Sequence, residues 1–125
     1  MLADICCILL ELHHVVMHPN PVLRAAKIGN DNMNLFNWAN QMLQTADDLK
    51  LATLEICTRL RREHNVVYAE IRFCPTLHTH QGLNESEVTD AVLQGFQASG
   101  MPGGVIICAL RTMPEAHWLA MARLA

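Results

Sequence analysis

Within the stretch NVVYAEIRFCPTLHTHQGLNESEV, residues 65–88, Glu70 and Arg72 stand two apart in a run of β-branched and aromatic residues. Period-two alternation places both on one face of a strand. Such a pair could supply catalytic charge, form an ion pair inside a packed structure, or mark the solvated face of an edge strand. Directly after it, CPTLHTH sets Cys74, His78 and His80 within seven residues, and cysteine and histidine at such spacing can bind zinc. No second pair follows at finger-like spacing, and the same histidines suit an exposed loop between strand and helix. Near the N-terminus His14 and His18 are four apart, as two ligands on one helical turn would be, with His13 beside them. Pro19 would end that helix at once, so the three are read as an incidental cluster. No residue is assigned as a metal ligand or as a catalytic group.

The chain that must position these residues is 125 residues long, enough for one domain. Hydrophobic residues make up 51% and charged ones 17%, a globular balance that excludes disorder. The net charge of −3 and a pI near 6.1 argue against a nucleic-acid surface. The densest basic run, RLRR at Arg59–Arg62, falls where a helix should end and cations complement its dipole. Five cysteines, Cys6, Cys7, Cys57, Cys74 and Cys108, lie mostly in apolar runs, as buried reduced thiols of a cytoplasmic protein would. ICCILL near the N-terminus is too short and too closely flanked by acids for a signal peptide or a membrane span.

Apolar spacing predicts the elements. Ile5 to Leu12 suits a buried strand. Leu35, Phe36, Ala39, Met42 and Leu43 keep helical spacing, with that helix ending near Gln44. A second helix runs from about Ala46 to Glu63 along Leu49, Ala52, Thr53, Ile56 and Leu60, with Thr45 and Asp48 as a capping box. VVYAEIRF, residues 66–73, reads as a strand stopped by Pro75. Asn84 and Glu87 form a second capping box, Leu83 and Val88 a hydrophobic staple, and a helix follows to about Ala98. SGMPGG breaks it, VIICAL at Val105 to Leu110 is another apolar strand, and a last helix starts near Glu115. Strands alternating with amphipathic helices specify α/β architecture with a parallel sheet. About three βα units are present, as in an incomplete (β/α)8 TIM barrel or part of an open doubly wound sheet. Parity favours the barrel: Val67, Ala69, Ile71 and Phe73 suit packing under helices, while Tyr68, Glu70, Arg72 and Cys74 form a polar ladder that a barrel interior can accept. A solvated edge strand remains the other reading. Cys74 then stands at the C-terminal mouth, where barrels bind substrate. A chain that stops inside a helix points to a fragment of something larger.

VVYAEIRFCPTLHTHQGLNESEVTDAVLQGF closely resembles the second strand and following helix of adenosine deaminases, in which an aromatic, a Glu and an Arg precede a small residue and a proline. GGVIICALRTMPEAHW is similar to the next strand of that family, with Arg111 at its end, and NLFNWANQML and DLKLATLEICTRLRREHN are similar to the two helices before. The resemblance covers 34–125, so the chain reads as one partial barrel domain, 1–125, whose first 33 residues diverge. It implies a (β/α)8 barrel in which zinc-activated water hydrolytically deaminates adenosine, or a related purine nucleoside, to inosine and ammonia. It further implies that Cys74, Leu77, Leu110 and Phe36 line the nucleoside pocket, and that Glu70, Arg72 and Arg111 are structural supports. The family's H-A-G-E motif, later histidine and paired aspartates are not in the sequence. LLELHHVVMHP begins like its E-L-H-x-H-L-D-G strand, but the second ligand position falls on Val15, so no zinc ligand is carried over.

The expectation is therefore a fragment of an adenosine deaminase-like enzyme that by itself holds no zinc and is inactive. An unclosed parallel sheet would leave it prone to self-association or aggregation. The alternatives are a shortened, non-catalytic isoform or pseudoenzyme acting as a binding module, and a metallo-hydrolase barrel acting on a different base.

Overall fold

A computed structural model of the chain describes residues 37–125. The expected first strand, the N-terminal histidines and Phe36 lie outside the described residues. Helical backbone over 37–42 leads into α1, Ala46–His64. Thr45 caps α1 by accepting the Asp48 amide at 3.2 Å, and its hydroxyl donates to the Asp48 carboxylate at 2.6 Å. Aspartate is one methylene shorter than the glutamate of a full capping box and here takes the cap's hydroxyl proton. At the other end Asn65 turns the chain in the left-handed region, and the amides of Asn65 and Val66 close on the Leu60 carbonyl.

That closure shortens the strand expected at 66–73. The Val66 amide is spent on the helix end, and pairing starts with the Ala69 amide on the Pro102 carbonyl at 3.0 Å. Strand β1 is Ala69–Phe73 and β2 is Gly103–Ile107, a parallel pair with Ala69 opposite Gly103 and Phe73 opposite Ile107. β2 thus begins two residues before the expected Val105. The reason is Gly103, which has φ +143° and lies so close to the Ala69 carbonyl that a Cβ would overlap it. Only glycine lets the chain enter the ladder there.

Between the strands run a 3-10 turn, Pro75–His78, and helix α2, Glu85–Ser99. The α2 capping box is complete: the Asn84 amide donates to the Glu87 carboxylate at 2.9 Å and the Glu87 amide to the Asn84 side chain at 3.0 Å. Helix α3, Glu115–Leu124, follows β2. The described residues are therefore α/β with two parallel strands joined through a crossover helix, as parallel pairing requires.

The core lies between α1, α2 and one face of the sheet. Leu49, Ala52, Ile56, Val88, Ala91 and Val92 are buried, with Ile71, Phe73 and Val105 packed against them. Fully burying a side chain such as Val88 contributes about 1.5–3 kcal/mol. Thr53 and Thr89, polar members of these stripes, return their hydroxyls to the Leu49 and Glu85 carbonyls, both at 2.8 Å. Arg61 closes the far end of α2, donating to the Ser99 and Gly100 carbonyls at 3.2 and 2.6 Å. The basic run thus sits at a helix end as its composition suggests, and serves two helices. No helix among the described residues is long and apolar enough to cross a membrane.

The two helices touch at Gly95, where a Cβ would meet the Lys50 carbonyl and lie 2.9 Å from the Thr53 Cβ. Overpacking of this kind costs about 1–3 kcal/mol. Gly95→Ala is expected to lower the unfolding free energy by that amount, seen as a lower urea midpoint with an unchanged slope; an unchanged midpoint would show that α1 and α2 are not in close contact.

Candidate functional site

Of the residues expected to bind substrate, Cys74 and Leu77 follow β1 and Leu110 follows β2. Cys74 continues the extended strand and is buried, 4% exposed. The 3-10 turn then begins with Pro75, whose missing amide costs nothing at a helix start, and brings half-buried Leu77 within three residues of Cys74. Leu110 is half-buried in the loop leaving β2 and Arg111 beside it is exposed. The Leu110 carbonyl accepts the Trp118 indole N–H at 2.8 Å and the Met113 amide at 3.0 Å. This fixes the loop against α3 while the Trp118 ring remains 42% exposed. Phe36 lies outside the described residues.

Glu70 and Arg72 share the sheet face opposite the helices and both are exposed. They do not pair with one another. The Glu70 carboxylate accepts the Tyr68 hydroxyl at 3.0 Å, and that bond, with the carboxylate's charge, raises the Tyr68 pKa. Their cross-strand neighbours are Gly104 and Ile106, and Ile106 is 41% exposed. This face therefore carries a carboxylate, a guanidinium and an apolar side chain without a covering layer among the described residues.

The turn after β1 is held by residues that spacing alone did not single out. Gln44, buried behind the apolar stripe of the helical segment 37–42, donates to the Asn40 and Leu77 carbonyls at 2.7 and 2.8 Å, and its side-chain oxygen accepts the His80 amide at 2.9 Å. His78, which the sequence suggested for an exposed loop, is 4% exposed, with Nδ1 2.8 Å from the Leu43 carbonyl. A carbonyl only accepts, so Nδ1 carries the proton. Burial lowers the His78 pKa, the Leu43 bond opposes this, and the imidazole is held neutral. The available signal was the i,i+4 pair Asn40 and Gln44 continuing the apolar stripe, a polar pair at positions that must be buried. Thr76 docks the last helix, its Oγ1 lying 3.1 Å from His117 Nε2 and 4.0 Å from Met121 Sδ.

A metal site needs several such donors converging on one point. His78 Nδ1 donates to the Leu43 carbonyl and His117 Nε2 lies beside Thr76, on different elements of the fold. No group of three or more His, Cys, Asp or Glu that could hold a metal occurs among the described residues. Cys57 and Cys74 are buried free thiols whose pKa values burial raises, with the neighbouring Cys108 adding to the shift of Cys74. Burial thus favours the protonated thiol over the thiolate at both positions. A groove of about 330 Å³ opens elsewhere, at the first turns of α1 and α2, between Asp47, Lys50, Glu87 and Gln94; no expected site residue lines it.

The described residues thus combine a fixed turn at the C-terminal end of β1 with an open polar sheet face, an arrangement suited to forming one wall of a larger site. A family model described as adenosine deaminase matches residues 24–125. The chain is 34% identical over 86 residues to the adenosine deaminase of Enterococcus faecalis, covering 66% of this chain and 25% of that protein. It is 32% identical over 88 residues to that of Clostridium botulinum, covering 67% and 26%. With that of Haemophilus ducreyi it shares 33% over 87 residues, covering 66% and 25%. The chain spans about a quarter of the length of the curated relatives it matches.

His78 gives this clamp a pH dependence. Its folded pKa lies below the ordinary 6.5, so the unfolded chain binds more protons, and the contribution is complete above 6.5 and declines as pH falls below it. Urea midpoints measured from pH 7.5 to 5 should fall with acidity. His78→Asn, whose amide can still donate to the Leu43 carbonyl, should show a shallower slope; equal slopes would remove His78 as the cause.

Proposed function

Because the chain belongs to the adenosine deaminase family, we propose that β1, β2 and their helices are part of an incomplete (β/α)8 barrel and supply one wall of a purine nucleoside pocket. In this reading the protein removes the amino group of adenosine, or of a related purine nucleoside, by hydrolysis to inosine and ammonia. The observation that carries it is the family match over residues 24–125. In this reading the matched residues belong to a single domain.

The sheet supports the barrel half of the proposal. A doubly wound sheet is covered by helices on both faces, whereas among the described residues α1 and the crossover helix α2 pack on one face and the other bears Glu70, Arg72 and Ile106. Inside a barrel those side chains meet partners from strands across the axis, so Glu70 and Arg72 act as interior supports, with Arg111 bracing the end of the next strand. Cys74 and Leu77 then reach the mouth from β1 and Leu110 from β2, with Phe36 closing the pocket from the preceding helix. Gln44 and His78 act one step back, as positioning residues that hold the turn bearing Leu77.

Adenosine deaminases are zinc-dependent as a family, and the described residues do not fit that ion, because no group of three or more His, Cys, Asp or Glu converges among them. We therefore give the described residues binding and support, with metal and proton transfer supplied from outside them. The same observation favours a second reading, in which the chain by itself is a non-catalytic binding module.

Ammonia release from adenosine separates the two, measured on this chain and on any longer product of its reading frame. The longer product is expected to release ammonia and this chain none. Leu110→Ala in the active product should lower kcat/KM roughly tenfold, the order expected for losing apolar contact in a pocket, mostly through KM. Release by this chain alone would overturn the division of roles, and none from either would favour the binding module.

A further inference from the structure

We propose that Cys74 and Cys108 form a cross-strand dithiol that closes to a disulfide by exchange with small-molecule disulfides. The inference needs only the strand register and stands whether or not the nucleoside reading holds. The last registered pair of the sheet is Phe73 with Ile107, so one further step sets Cys74 opposite Cys108. The backbone supports that step: Cys74 is extended, φ −112° and ψ 109°, and the Cys108 amide donates to the Phe73 carbonyl at 2.9 Å. Opposed residues of neighbouring strands lie about 4.8 Å apart, inside the roughly 4.4–6.8 Å over which two cysteine Cα atoms can be bridged. Parity puts both side chains on the face of Arg72 and Ile106. Both are free thiols.

Their unequal burial sets the order of events. Cys74 is 4% exposed while Cys108 is only partly buried, so a small disulfide reaches Cys108 first. Cys108 gives up its proton and its sulfur attacks one sulfur of the disulfide, whose S–S bond breaks and releases one thiol that takes the proton. Cys74 then loses its proton and attacks Cys108 Sγ, forming the Sγ–Sγ bond and releasing the second small thiol. The two cysteines lose two electrons and the small disulfide gains them. The bridge ties the ends of β1 and β2 together next to the turn that carries Leu77.

The test treats the folded full chain with oxidised glutathione and maps its peptides by mass spectrometry without reduction. A Cys74–Cys108 cross-link should dominate, with Cys57 unmodified, and should be lost in Cys74→Ser and Cys108→Ser. Cys74→Ser should instead keep one glutathione on Cys108. The proposal is overturned if the wild-type chain stops at a glutathione adduct on Cys108, if cross-links scatter among the cysteines, or if neither thiol reacts. The wild-type map decides without depending on how either variant folds.

Discussion

Ala69, Ile71, Phe73 and Val105 must all turn toward α1 and α2, and the remainder of the structure follows from that constraint. A strand's side chains alternate strictly, so committing these four to the helices commits Glu70, Arg72 and Ile106 to the other side. Register is fixed at the entrance to the ladder, where the Ala69 carbonyl occupies the space a side chain at position 103 would need. A slip of one residue would turn Glu70 and Arg72 into the helical core and place an unpaired carboxylate there. The parallel pair is therefore held by apolar burial on one face and by the cost of misplacing charge on the other.

The same constraint carries through to the end of β1. Once Phe73 faces the helices, Cys74 must face away, and the chain has to leave the sheet over the end of the helical segment 37–42. Leaving there creates backbone polar groups that need partners in a mostly dry place. Gln44 uses both its donor and acceptor functions to meet that need, and the neutral His78 supplies one more bond. Holding this turn by buried side-chain bonds makes it a rigid position for Leu77, which a binding wall requires.

Helices were legible in the sequence because their signals are local. Thr45, Asn84 and Glu87 announced two starts, and the stripes from Leu49 and from Val88 gave the buried faces as they stand. Strand limits were not legible, since they depend on pairing: Val66, Val67 and Tyr68 are as β-prone as their neighbours but have no partner opposite, while Gly103 and Gly104 are β-poor and pair nonetheless. His78 was misplaced for a related reason. Nothing adjacent in the chain reveals a carbonyl that arrives from Leu43, thirty-five residues earlier. The polar ladder at Glu70 and Arg72 was the most informative feature, because parity alone put both on the face opposite Ile71 and Phe73, as the structure has them.

Hydroxyl-radical footprinting of the dilute, monodisperse chain distinguishes a sheet covered by helices on one face, as among the described residues, from one covered on both. Tyr68 and Phe73 bracket the same strand with opposite parity, and Ile106 and Val105 do so on the next, so each pair compares similar chemistry across the sheet. Tyr68 and Ile106, 59% and 41% exposed, should oxidise rapidly, with Phe73 and Val105 protected. Equal protection within both pairs would contradict it, because the Glu70 and Arg72 face would then already be covered.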